Sequence, residues 1–125
     1  MTKEYKTDPR IELRIPQDSI FTRTITIEYE DGTAFDLTGC TCYLVAKSDP
    51  EDAIADAIIN TNWNTHTDAA NGETSYTLPA DTTAAGTDKT LGTYYYNVRV
   101  TGTGINFATP MGRLVIEPNP AKDAV

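Results

Sequence analysis

At 125 residues the chain has the size of one domain, enough to bury roughly two thirds of the surface its unfolded form exposes without a metal or disulfide staple. Eighteen acidic against ten basic side chains give a formal net charge of -8, the wrong sign for counterion-releasing contacts with a phosphate backbone and one that an anionic membrane surface repels. Nucleic acid and membrane are therefore not expected partners, and no apolar run approaches the ~18 residues needed to cross a bilayer.

Taken in chain order, the start Met1-Thr2-Lys3-Glu4-Tyr5-Lys6 is polar with no apolar segment behind it, so no secretory leader is expected and synthesis in a cytoplasm follows. Residues 1–10 carry mixed charge, end in Asp8-Pro9-Arg10, and read as an N-terminal arm that a neighbour could order. Ile11-Glu12-Leu13-Arg14-Ile15 alternates and is halted by Pro16, which predicts a short edge strand. Residues 19–30 hold the longest alternation: Phe21, Arg23, Ile25, Ile27 and Tyr29 oppose Thr22, Thr24, Thr26 and Glu28. Arg23, on that otherwise apolar face, is expected to snorkel at the sheet end or to pair with an acid. Asp31-Gly32 then marks a tight turn, because glycine accepts the positive φ such turns demand.

Asp36-Leu37-Thr38-Gly39 leads into a strand over residues 40–47 whose inward set is Cys40, Cys42, Leu44 and Ala46, with Tyr43 and Lys47 pointing away. The two cysteines share a face but sit too far apart for comfortable S–S geometry, and they read as small buried hydrophobes of a reducing compartment. Ser48-Asp49-Pro50-Glu51-Asp52 has helix-start chemistry. Residues 53–59 fit either a short helix or a turn followed by a strand through Ile58, Ile59 and Thr61, and the β-rich remainder favours the second. Residues 60–72 form a long polar loop or weak hairpin holding Trp63 and His66, closed by Asn71-Gly72. Thr74, Tyr76 and Leu78 then share one side of a strand, and residues 80–91 read as a small, polar surface connection.

Residues 92–101, Gly-Thr-Tyr-Tyr-Tyr-Asn-Val-Arg-Val-Thr, carry the clearest strand signal. Tyr94, Tyr96, Val98 and Val100 fall on one face and Tyr95, Asn97, Arg99 and Thr101 on the other. This is the expected central strand, with a hairpin turn at residues 102–104 after it. Ile105, Phe107 and Thr109 begin the returning strand, Pro110 to Gly112 interrupt it and residues 113–117 complete it. Residues 118–125, with two prolines, read as a C-terminal tail that cannot join a sheet interior. The expected fold is all-β: an antiparallel immunoglobulin-like β-sandwich of seven to eight strands over residues 11–117, with extended arms at both ends. One of Tyr94 and Tyr96 could supply a tyrosine-corner hydroxyl bonded to backbone.

Four stretches carry a resemblance: Phe21 to Tyr29 with Asp31-Gly32; Asp36-Leu37-Thr38-Gly39; Leu78 to Asp81-Thr82; and Gly92-Thr93-Tyr94-Tyr95-Tyr96-Asn97-Val98 with Gly112-Arg113-Leu114-Val115-Ile116. In their order and spacing the chain resembles the small immunoglobulin-like domains of tailed-bacteriophage virion proteins, found in baseplate, tail-collar and fibre-attachment components. The family pattern commonly has aspartate where this chain has Asn97, and the loop over residues 60–72 is longer than usual. The resemblance implies a noncatalytic structural protein of the virion, made in the host cytoplasm. It would be a homo-oligomer in the particle, binding tail tube, baseplate or fibre components through edges, loops and termini. A capsid decoration protein and a carbohydrate-binding module for host-surface glycans are the alternatives.

No glycine-rich phosphate loop, His-rich metal spacing or serine elbow occurs, so no catalytic, cofactor or metal residue is assigned. Asp49, Glu51, Asp52 and Asp56 form the densest carboxylate cluster and read as helix capping and solvation rather than a calcium site. His66 reads as a surface histidine rather than a general base. Three aromatics are the interaction candidates. Trp63 either folds over the core edge or serves as a contact anchor or sugar platform; Tyr43 and Tyr95 face outward, through strand propensity or for an interface.

Overall fold

The structure, a computed structural model of the chain, describes residues 5–6, 12–29, 31–122 and 124. Its described strands are β1 (Tyr5–Lys6), β2 (Leu13–Pro16), β3 (Phe21–Thr26), β4 (Glu28–Tyr29), β5 (Thr41–Lys47), β6 (Ile59–Trp63), β7 (Glu73–Leu78), β8 (Gly92–Gly102), β9 (Ile105–Ala108) and β10 (Gly112–Glu117). Two single-turn 3-10 segments, Ile54–Asp56 and Ala69–Asn71, are the described helical residues. The chain is all-β.

Six strands form one mixed sheet in the order β2-β10-β8-β5-β6, with β9 also pairing β8; β3 pairs β7, and β1 pairs β4. Two expectations change here. The sheet is not purely antiparallel, since β2 runs parallel to β10 with Leu13 opposite Leu114 and Ile15 opposite Ile116. The seven to eight strands become ten described ones, because the alternation over residues 19–30 is cut at Ile27 into β3 and β4, the returning strand is cut into β9 and β10, and Tyr5–Lys6 of the expected arm adds β1. The second cut has a register cause. Arg99 faces Ala108 and Tyr96 faces Gly112, so residues 109–111 stand opposite Asn97 and Val98 alone, a bulge of one residue. Thr109 fills it, taking the Val98 amide on Oγ1 at 3.0 Å and giving its own amide to the Val98 carbonyl.

The period-two patterns sort as their side chains dictate. Tyr94, Tyr96, Val98 and Val100 of β8, Cys40, and Cys42, Leu44 and Ala46 of β5 are all buried, as are Leu13, Ile15, Leu114 and Ile116 at the β2–β10 end. Ile25 of β3 and Thr74, Tyr76 and Leu78 of β7 are buried too. The apolar members belong to one cluster with the large sheet's residues. Aromatic contacts tie β7 and the segment after β4 to the large sheet. Trp63 of β6 lies 5.3 Å from Tyr76 of β7, and Phe35 lies 5.1 Å from Phe107 of β9 in an edge-to-face arrangement.

The turns follow their sequence signals. Gly32 takes φ 87° beyond Tyr29, and Asp31 accepts the Thr33 amide at 2.9 Å. Gly72, at φ 74°, packs so closely that a Cβ there would meet the Ile27 carbonyl at 2.3 Å. Residues 48–52 start no α-helix: Asp49 accepts the Glu51 amide and Asp52 accepts the Asp49 amide. The chain then enters β6, the turn-then-strand alternative.

Three connections are held more firmly than a surface reading suggests. Thr87, inside the expected surface connection of residues 80–91, is fully buried and bonds the backbone of Ser19 in both directions. Residues 118–122 are a turn lodged against the body rather than an extended arm, with Asn119 donating to the Gln17 carbonyl and Lys122 paired to Asp88 at 2.8 Å. At the other end Tyr5–Lys6 pairs with Glu28–Tyr29 of the same chain; the remainder of the arm expected over residues 1–10 lies outside the described residues.

Candidate functional site

An open groove of about 750 Å³ runs over the outward face of the large sheet. Its floor is built in cross-strand rows by the register: Asn62, Tyr43 and Arg99 form one row, Asn60, Val45 and Asn97 the next, and Lys47 and Tyr95 a third. Thr101 and Asn106 continue it toward the β8–β9 turn. One wall is the turn carrying Pro50 and Ile54, and the other is Met111, which the bulge at residues 109–111 puts there. Ile54 is 56% and Met111 50% exposed, unusual for such apolar side chains beside a groove.

Two cations lie in the groove. Arg99 donates to the Asn106 side chain and Lys47 donates to the Asp52 backbone carbonyl at 2.7 Å. Neither cation has a carboxylate within 4.0 Å among the described residues, and the groove lining contains no Asp, Glu, His, Ser or Cys. Carboxylates do lie nearby in the wall turn, but Asp49 and Asp52 are turned onto that turn's own amides. A chain of net charge -8 therefore offers an amide-rich hollow whose lining holds two cations and no carboxylate, with two tyrosines on its floor.

The three aromatic candidates separate. Tyr43 and Tyr95 are brought together in this groove, two rows apart and half-buried. Trp63 is not with them. It belongs to a hydrogen-bonded circuit on the inner side, where its indole N–H donates to Thr74 Oγ1 at 2.7 Å while its ring lies over Tyr76.

His66 completes that circuit and is half-buried rather than a plain surface residue. Its Nε2 is 2.8 Å from the Cys40 carbonyl and its Nδ1 2.9 Å from Thr74 Oγ1. A carbonyl only accepts, so Nε2 carries the proton and Nδ1 accepts from the threonine hydroxyl, which in turn accepts from Trp63. Every polar atom in the circuit is matched, including those of the fully buried Thr74. The signal available in the sequence was a Trp, a His and a Thr around one loop, but nothing local showed that they converge on a single hydroxyl.

Both cysteines are free and buried. Burial raises the Cys40 thiol and pushes Cys42 up to about 12, with the neighbouring Cys40 adding to the effect. At neutral pH they are inert thiols. Among the described residues no three His, Cys, Asp or Glu side chains gather as a metal set, and no helix is long and apolar enough to cross a membrane. No protein-family model matches the chain, and no curated protein matches it.

Proposed function

We propose that the chain is a noncatalytic immunoglobulin-like β-sandwich that works as an assembly component of a tailed-bacteriophage particle, made in the host cytoplasm and incorporated in the virion tail as a collar, baseplate or fibre adaptor. Its fold reading is supported by a five-strand order in which β10-β8-β5-β6 matches the extended GFC sheet of such domains, faced by the β3–β7 pair. It is also supported by the Tyr94 hydroxyl, which donates to the Thr90 carbonyl at 2.6 Å at the entry to β8, the geometry of a tyrosine corner.

The observation that carries the functional reading is the groove. Tyrosine, asparagine, arginine and methionine are the side chains that protein-binding surfaces favour, and no acid–base pair stands among its lining residues. The middle of the groove floor rests on β5 and β8, each paired on both sides, the arrangement a docking surface needs. Among the described residues the outer edges of β3 and β7 pair with no further strand, which leaves them for strand addition in the assembled particle.

Mass photometry of the full chain mixed with purified tail proteins, and separately with capsid proteins, tests the proposal. A stoichiometric complex with a tail protein that the Tyr43→Ala/Tyr95→Ala double variant loses is the expected result. Binding to capsid proteins alone would move the role to capsid decoration. No complex with either set ends the virion reading.

A further inference from the structure

We infer that the groove takes an extended acidic segment of a partner protein, laid along β5 and β8 with two carboxylates about four residues apart. This rests on the docking role proposed for the same face and adds the chemistry of the occupant.

The argument is one of charge and spacing. Lys47 lies in the row of Tyr95 and Arg99 in the row of Tyr43, four residues apart along β8. At ~3.3 Å per strand residue the two rows that carry the cations stand roughly 13 Å apart. An extended peptide has the same rise, so acidic residues at i and i+4 match both. Those positions share a face in an extended chain, and the residue at i+2 between them faces the groove as well. Opposite it lies the middle row, Asn60, Val45 and Asn97, with one apolar side chain flanked by two amides. The exposed Ile54 and Met111 on the walls favour a peptide over a glycan, because aliphatic walls leave sugar hydroxyls unpaired but pack against side chains. Arg99 can take a carboxylate in fork geometry, and Lys47 offers a point charge. Physiological salt screens charges beyond about 8 Å, so the acids that bear on the groove are those of the wall turn, where the Asp52 carbonyl takes the Lys47 ammonium. The lining itself holds two cations and no carboxylate, and that contrast carries the recognition.

The test sorts an mRNA-displayed library of random twelve-residue peptides on the full chain and measures the enriched peptides by fluorescence anisotropy. Enriched sequences should carry two acidic residues four apart with an apolar residue between them. Their affinity should fall at least about tenfold on Lys47→Glu/Arg99→Glu, a change of roughly 1.4 kcal/mol, while circular dichroism shows the β-sheet retained. The same charge-reversed variant should instead enrich basic peptides. Enrichment without an acidic bias, affinity indifferent to charge reversal, binding of an acidic glycan array in place of peptides, or a homodimer closed through this face would each overturn the assignment. Loss of the tail complex on Tyr43→Ala/Tyr95→Ala but not on charge reversal would leave the docking face standing and remove only the acidic partner. A complex that survives both sets of changes removes both.

Discussion

Tyr94 and Tyr95 are adjacent in β8 and have opposite fates. Tyr94 is buried, with its hydroxyl spent on the Thr90 carbonyl, and burial raises the pKa of its phenol. Tyr95 is half-buried on the groove floor, where its hydroxyl makes no hydrogen bond among the described residues. The same division runs down β5, where Leu44 is fully buried and Val45 lines the groove. Strand alternation thus separates two tasks at single-residue spacing. The inner face is committed to holding the sheets together, which leaves the outer face free to be specified by a partner.

The largest test of that division is Leu44→Ala. Leu44 is 0% exposed, so the truncation should cost about 2–5 kcal/mol through lost transfer energy and an unfilled cavity, read by urea denaturation. Val45→Ala, one residue on, should cost under about 1 kcal/mol. Equal losses at the two positions would erase the distinction between the faces.

The polar circuit on the inner side should give the next largest effect. His66→Ala leaves the Cys40 carbonyl without its imidazole donor and the buried Thr74 hydroxyl without an acceptor, at about 1–3 kcal/mol. Trp63, the single tryptophan, reports the change directly. Its emission should move to the red as its anchor on Thr74 loosens. A variant as stable as the parent, with unmoved emission, would show that the circuit is ornamental.

These two cases also mark what the sequence could tell. The inner face was legible because burial repeats every second residue and needs only local pattern: Cys40, Cys42, Leu44, Ala46, Tyr94, Tyr96, Val98 and Val100 all lie where alternation puts them. The Trp63–Thr74–His66–Cys40 circuit was not legible, since it joins a loop to two strands of different sheets. The parallel pairing of β2 with β10 was hidden for the same reason, because a four-residue strand carries no mark of its partner's direction. Tyr43 and Tyr95 could be assigned outward one strand at a time. Their union with Ile54 and Met111 depended on the wall turn and on a register shift at Thr109, neither of which has a periodic signature.

Alkaline pH sharpens the comparison without changing any contact. The Cys42 thiol rises from an ordinary 9.0 to about 12, chiefly through desolvation. The folded state therefore holds its proton longer than the unfolded state does. That contribution to stability is whole below pH 9 and drains away as pH climbs from 9 toward 12, where the unfolded thiol ionises and the folded one does not. Between pH 8 and 10.5 the parent should lose melting temperature more steeply than Cys42→Ala. Parallel slopes would mean that the thiol is hydrated in the fold.

The smallest expected effect on stability is the one that matters most for the groove. Tyr95→Ala removes a half-exposed ring from a central strand whose pairing to β5 and β10 is made by backbone, so the cost should stay under about 1 kcal/mol. Ring removal from a docking floor has no such reason to be small, since aromatic anchors commonly carry 2 kcal/mol or more of a binding energy. A Tyr95→Ala chain that melts like the parent but binds its partner at least about tenfold more weakly would place stability and recognition on opposite sides of one strand. A chain that loses stability and affinity together would instead make Tyr95 a second structural tyrosine, and the groove a by-product of sheet curvature rather than a surface shaped for a partner.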